Sequence, residues 1–312
     1  GWSVIPSANA TAVDDRLNAV AAASSSDVWA VGAAWDSLTR TQSLAEHWNG
    51  AAWTIAPSPS VAGGSGAELR AAAAVASGDV WAGGVAGNPL LEHWNGSAWS
   101  VVPSPSAING TNLDAFGING IAAVSSKDVW AVGGNTARSC AGIMPALIEH
   151  WDGTRWSAML TAQAGILYGV TALAADDVWA VGTTFDSGPQ SALLLHWNGK
   201  QWLSVSGPAP TSQQGSYQLS AVAARSSADV YAAGAAYNYG ASGSGPQSQA
   251  LVERWDGTSW SVVQVPQPGL ADNTLAAIAA LPGTHGDVWA VGAYDDCPFC
   301  YAQQSLITHF SG

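Results

Sequence analysis

Four short segments of this chain set an aromatic ring beside a planar hydrogen-bonding group: Trp35-Asp36-Ser37, Phe185-Asp186-Ser187, Tyr237-Asn238-Tyr239 and Tyr294-Asp295-Asp296. The ring offers a flat apolar surface, and the carboxylate or amide offers directed hydrogen bonds. A sugar, with its C–H faces and hydroxyls, needs both. Two bases, Arg40 and Arg138, and four acids, Asp14, Asp15, Asp114 and Asp272, fall in the same variable stretches. Adjacent carboxylates such as Asp14-Asp15 and Asp295-Asp296 carry the oxygens for acid–base work or for a Ca²⁺ ion. The plainer reading makes all of these turn residues, with solvated acids and rings that cover the rim of a sheet.

The elements that must carry these segments repeat. Asp27-Val28-Trp29-Ala30-Val31-Gly32 has counterparts beginning at Asp79, Asp128, Asp177, Asp229 and Asp287, at intervals of 52, 49, 49, 52 and 58 residues. His47-Trp48-Asn49-Gly50, followed by Trp53, has counterparts ending in His309-Phe310-Ser311-Gly312, whose missing closing Trp stands at Gly1-Trp2-Ser3-Val4. A period of this size marks blades or solenoid turns. A last unit split between the two termini fits a ring. The expectation is an all-β chain: a six-bladed β-propeller of four-stranded antiparallel blades, closed by the N-terminal strand joining the last blade. It forms one domain, 1–312, with blades at about 17–57, 69–104, 118–160, 167–206, 219–266 and 275–312 plus 1–6. Gly1 and Gly312 are then one hairpin apart.

Within a repeat, Val-, Leu- and Trp-rich runs bounded by Ser, Gly, Asn and Pro read as strands A to D; in the first they are 17–22, 27–32, 44–48 and 53–55. Asn-Gly or Asp-Gly between C and D suits a tight hairpin. The B-to-C connections run from five residues (Val85 to Pro89) to sixteen (Ala235 to Ala250), and the D-to-A connections are also long. In an up-and-down sheet these two kinds of connection leave from one end, which gathers the variable sequence there.

The repeat separates framework from candidate site. All seventeen Trp except Trp35 fall at equivalent positions on strands B, C and D, the pattern of packing between neighbouring blades. His47, His93, His150, His196 and His309 are equivalents too, with Arg254 in the fifth place. Ligands of one metal ion come from different directions around it, so these His read as structural, bonded to the Asp that opens strand B or to a nearby carbonyl. Glu46, Glu92, Glu149 and Glu253, beside the His, read as structural as well.

Nine basic against 22 acidic residues give a net charge of -13, which argues against nucleic acid and anionic membranes as partners. No run has the length and apolarity of a membrane span, so no membrane insertion is expected. A start at Gly1 rather than Met fits a removed leader and equally a chain cut at that point. Cys297-Pro298-Phe299-Cys300 reads as a local disulfide, Cys297 to Cys300, with Cys140 left over. No metal site and no cofactor is expected, Ca²⁺ being the alternative. His-Glu-x-x-His, phosphate-binding Gly-loop and Gly-x-Ser-x-Gly motifs are absent.

In its Asp-Val-Trp-Ala-Val-Gly strand and its Trp151-Asp152-Gly153-Thr154-Arg155-Trp156 hairpin the chain resembles bacterial secreted propellers built from tectonin-like or Asp-box-like units. The resemblance covers all six repeats and implies the fold. It raises two function classes, glycan binding and sialidase-like hydrolysis. Against the second, the chain has seven Arg and no Phe-Arg-Ile-Pro segment, and His150 stands where the Asp-box places Ser. The reading is an extracellular or cell-surface, non-catalytic propeller that takes a glycan or small polar ligand on its aromatic-Asp segments. The alternatives are a glycan-active hydrolase or lyase using loop carboxylates, and a structural subunit of an oligomer or surface assembly.

Overall fold

The computed structural model describes all residues except 1–2, 9, 11–13, 38–39, 60–65, 106–115, 136–144, 186–189, 209–214, 239–246, 270, 282–286, 296–302 and 312; at 37, 40, 135, 160, 162, 238 and 247 it describes the backbone alone. Among the described residues every regular element is a strand. The first sheet is β1 (Asp14–Ser24), β2 (Asp27–Ser37), β3 (Arg40–Trp48) and β4 (Trp53–Ile55); the second is β5 (Glu68–Ala76), β6 (Asp79–Val85), β7 (Pro89–Trp94) and β8 (Trp99–Val101). The third has β9 (Phe116–Ser125), β10 (Asp128–Asn135), β11 (Pro145–Trp151) and the start of β12 (Trp156–Ala174); the fourth has the rest of β12, β13 (Asp177–Thr184), β14 (Ala192–Trp197) and β15 (Trp202–Ser204). The last seven strands form one hydrogen-bonded sheet: β16 (Gly215–Ser226), β17 (Asp229–Asn238), β18 (Gln247–Trp255) and β19 (Trp260–Val263) make up its first part, the fifth sheet, and β20 (Asp272–Ala280), β21 (Val288–Asp295) and β22 (Gln304–Phe310) its second part, the sixth, joined to the fifth by a parallel pair between β18 and β20. Apart from that parallel pair, neighbours follow chain order and pair antiparallel, as expected of up-and-down blades.

Two features differ from the sequence expectation. No break separates the third sheet from the fourth, because the connection after Trp156 lacks the Pro that follows strand D at Pro57, Pro103, Pro208 and Pro266. With every N–H available, the extended chain simply continues. At the N-terminus, Ser3 to Pro6 form no strand, and Val4 is 95% exposed, so strand pairing with β22 is not formed by these residues.

The contacts group into two compact units, one of residues 1–140 and 147–160 and the other of 141–146 and 161–312. Each is cored by Trp. In the first, Trp29 is fully buried, its ring 4.7 Å from Trp94 and 5.1 Å from Trp99 of the next sheet. In the second, Trp179 meets Trp255 at 5.2 Å and Trp260 at 5.3 Å, and Tyr231 takes the Trp position one sheet on. Burying a large ring fully, with an edge-to-face neighbour, is the strongest packing a single side chain gives.

The Gly that ends each B motif has a specific cause. The A strand carries a register shift opposite it, as between Leu17 and Ala19, Leu167 and Gly169, and Leu219 and Ala221. The extra residue pushes the A-strand backbone inward. A Cβ on Gly32, Gly182 or Gly234 would fall on the carbonyl oxygen of Arg16, Ile166 or Gln218.

Candidate functional site

Each sheet has a turn end, with the A-to-B and C-to-D turns, and a loop end. At the turn end the His residues do what the repeat suggested: His47 Nε2 lies 2.8 Å from Asp27 Oδ1, and His93, His150, His196 and His309 lie 2.8–2.9 Å from Asp79, Asp128, Asp177 and Asp287. Each imidazole also stacks on the strand-B Trp, as His196 does on Trp179 at 4.3 Å. In the fifth sheet Arg254 replaces His, bonds Asp229 Oδ1 at 2.9 Å and lies over Tyr231. Among the described residues no group of three potential ligands gathers for a metal ion.

The loop end carries the candidate site. Sequence placed Trp35, Tyr237, Tyr294 and Asp295 in loops, but they end strands, because A and B stay paired beyond the Gly. Asp14 faces Trp35, Ser216 faces Tyr237, and Asp272 faces Asp295. The aromatic residues Trp35, Tyr237 and Tyr294 suit an extended chain there.

The four aromatic-polar segments are therefore not equivalent. Trp35, Phe185 and Tyr237 stand three residues past Gly32, Gly182 and Gly234, whereas three past Gly292 is Asp295 and Tyr294 is two past. Strand side chains alternate between faces, so a shift of one exchanges ring and carboxylate. In the sixth sheet the acid holds the position that a ring holds in the fifth. The Tyr294 hydroxyl donates to Gln304 Oε1 at 2.7 Å.

Tyr237, Tyr294 and Asp295 come together, with Ser248, Asp272, Thr274, Ala293 and Gln303, around a cleft of about 180 Å³ between the fifth and sixth sheets. Its frame is the connection between Val265 and Ala271. Gln267 exchanges hydrogen bonds of 2.8 Å with both backbone groups of Ala250, Asn273 does likewise with Gly269 at 2.8 and 2.9 Å, and the Ala271 N–H donates to the Asp295 carbonyl at 3.0 Å. Gly269 is needed there, since a Cβ would stand 2.7 Å from the carbonyls of Asp272 and Asp295. Ser248 pairs in register with Asp272, whose Oδ1 accepts from the Ser248 N–H at 2.8 Å and hydroxyl at 2.9 Å. Asp295 is different: its Oδ1 is buried with no hydrogen-bond partner. A carboxylate oxygen left bare beside a second carboxylate favours any arriving donor.

The other candidates lie elsewhere or are not described. Trp35 is half-buried in the first sheet, and Asp36, exposed, accepts from Gln42 Nε2 at 3.1 Å. Phe185 is held by its N–H to the Ala164 carbonyl at 3.1 Å and does not line the cleft. The side chains of Arg40 and Asn238, and all of Arg138, Asp186, Tyr239, Asp296, Cys140, Cys297 and Cys300, lie outside the described residues. Sequence reasoning named Asp272 only in passing and missed Ser248, Thr274 and Gln303. The signal for Asp272 was its place three residues before Leu275, where the first repeat has Asp14 before Leu17.

No family model and no curated protein matches the chain in sequence. Solved structures do match in fold. The GH74 xyloglucanase from Xanthomonas campestris aligns with a TM-score of 0.57 at 12% identity over 93% of this chain and 46% of its own. The WD40 repeats of RRP9 align with a TM-score of 0.55 at 10% identity over 88% and 73%. The fucose-specific lectin from Aleuria aurantia aligns with a TM-score of 0.47 at 14% identity over 94% of both chains. At these identities the likeness concerns architecture alone: an all-β propeller of antiparallel blades.

Proposed function

We propose that this propeller is a non-catalytic binding protein that takes a glycan or another small polyhydroxyl ligand in the cleft between its fifth and sixth sheets, and that it works outside the cell or at the cell surface. The observation that carries the reading is the bare Oδ1 of Asp295 in a cleft shared with Asp272, Tyr237 and Tyr294. Vicinal hydroxyls supply the donors that the two carboxylates need, and the Tyr rings supply a face to stack against. The sequence repeat supports six blades in one domain. That some propellers of this fold act on or bind glycans is compatible with the reading and does not carry it.

The test is a glycan array followed by calorimetry on wild type, Asp295→Asn and Tyr237→Ala. Binding that either substitution weakens at least about tenfold supports the site. No binding, or binding indifferent to both, overturns it. The second reading, hydrolysis or lysis, is favoured by one observation, two carboxylates facing each other in register. Release of reducing ends from a bound glycan, lost in Asp272→Asn, would establish it instead.

A further inference from the structure

The residue before each strand-C His or Arg is Glu in four sheets, and all four, Glu46, Glu92, Glu149 and Glu253, are buried. Where such a Glu is served by a hydroxyl, the donor comes from the preceding sheet, five residues after its strand-D Trp. Ser58 donates to Glu92 Oε2 at 2.6 Å, and Ser43 adds a bond to Oε1 at 3.1 Å. Ser104 donates to Glu149 Oε1 at 2.6 Å. The residue that should serve Glu253 is five past Trp202, and it is Gly207.

Glu253 is a buried carboxyl, 3% exposed, whose Oε2 has no hydrogen-bond partner; Oε2 of Glu149 is bare too, but that carboxyl keeps the Ser104 bond at Oε1. It lines a cavity of about 320 Å³ whose walls include Pro208, Tyr217, Leu251, Val263 and Val265, with no other charged side chain among the lining residues. Gly207 is exposed, and a Cβ built on it would stand 3.6 Å from Glu253 Oε2, so the carboxyl lies just beneath the surface where the hydroxyl is missing. The cavity shares no lining residue with the Asp272–Asp295 cleft.

We infer that the Glu253 cavity is a second binding site, for a small organic ammonium whose N–H replaces the absent serine hydroxyl while its hydrocarbon body lies against the Pro, Leu and Val wall. A charged donor is favoured over a neutral one because a buried lone carboxylate gains most from a paired cation. Burial alone pushes the Glu253 carboxyl up to about 7. This inference is independent of the function proposed above.

The experiment titrates cyclohexylammonium chloride and its neutral isostere cyclohexanol into the whole chain at pH 8, read by calorimetry and by the methyl NMR signals of Leu194, Leu251 and Val263. Saturable binding of the ammonium is expected, at least about tenfold tighter than the alcohol, with shifts confined to those methyls. Glu253→Gln should weaken it about tenfold or more, and Gly207→Ser several-fold, because the new hydroxyl takes Oε2. The serine fits: its Cβ would press only on the terminal Leu194 Cδ1 at 3.1 Å, so this variant tests the site even if Glu253→Gln fails to fold. Equal affinity for the alcohol, no saturable binding, or ammonium binding unchanged in Gly207→Ser would overturn the inference.

Discussion

At the turn end of the fourth sheet, Asp177, His196 and Trp179 form a bonded and stacked set that recurs in the first, second, third and sixth sheets with the same 2.8–2.9 Å bond. At the loop end of the fifth and sixth sheets, Asp272, Asp295 and Tyr237 form a set that occurs once among the described residues. The turn-end carboxylates have partners supplied by their own repeat. Asp295 Oδ1 at the loop end does not, and neither does Glu253 Oε2 within strand β18. In a repeat protein, what recurs stabilises each unit and its interface, and a polar group that has lost its recurring partner is free to bind something else.

That contrast can be broken by substitution. The largest effect belongs to the framework: Trp179→Ala, which empties a fully buried site, should cost about 3–5 kcal/mol in urea unfolding, and half-buried Trp35→Ala distinctly less. Gly234→Ala drives a methyl onto the Gln218 carbonyl and should cost about 1–3 kcal/mol, with the same unfolding assay as readout.

Next comes a pH effect. Burial raises Glu92 to about 6 and Glu149 and Glu253 to about 7, from 4.5. The folded chain then holds these protons at pH values where the unfolded chain has released them, so stability falls as pH rises from about 4.5 to about 7 and is level above. In Glu253→Gln the stability lost between pH 5 and pH 8 should shrink by on the order of 1–3 kcal/mol; an unchanged difference would place the pH dependence on other groups. The smallest effect is expected at the cleft, where Asp295→Asn should move stability by less than about 0.5 kcal/mol while abolishing ligand binding. A large loss of stability there would make Asp295 a framework residue.

The same contrast explains what could be read from sequence. The strands, the Trp packing and the Asp–His pairs were legible because each is written five or six times, and repetition cancels local accident. The candidate site was half legible. Tyr237, Tyr294 and Asp295 were identified by type, but their geometry depended on a one-residue offset after Gly292 and on strands that extend past the Gly, neither of which residue type reveals. Glu253 was assigned to the framework with its equivalents. Only the comparison of Gly207 with Ser58 and Ser104, across a sheet-to-sheet contact, shows that its donor is missing.

The crimp opposite each B-strand Gly has a further consequence, for how such a chain can change. A bulge fixes which residue of one strand faces which residue of the other, so insertions beyond it cannot slide the pairing on the near side. Selection can rewrite the outer half of each hairpin, as it has at Trp35, Phe185, Tyr237 and Asp295, while the inner half stays in step. In a saturation library the six glycines should be nearly intolerant and the positions three residues past them permissive, a sharp border running through the middle of single strands.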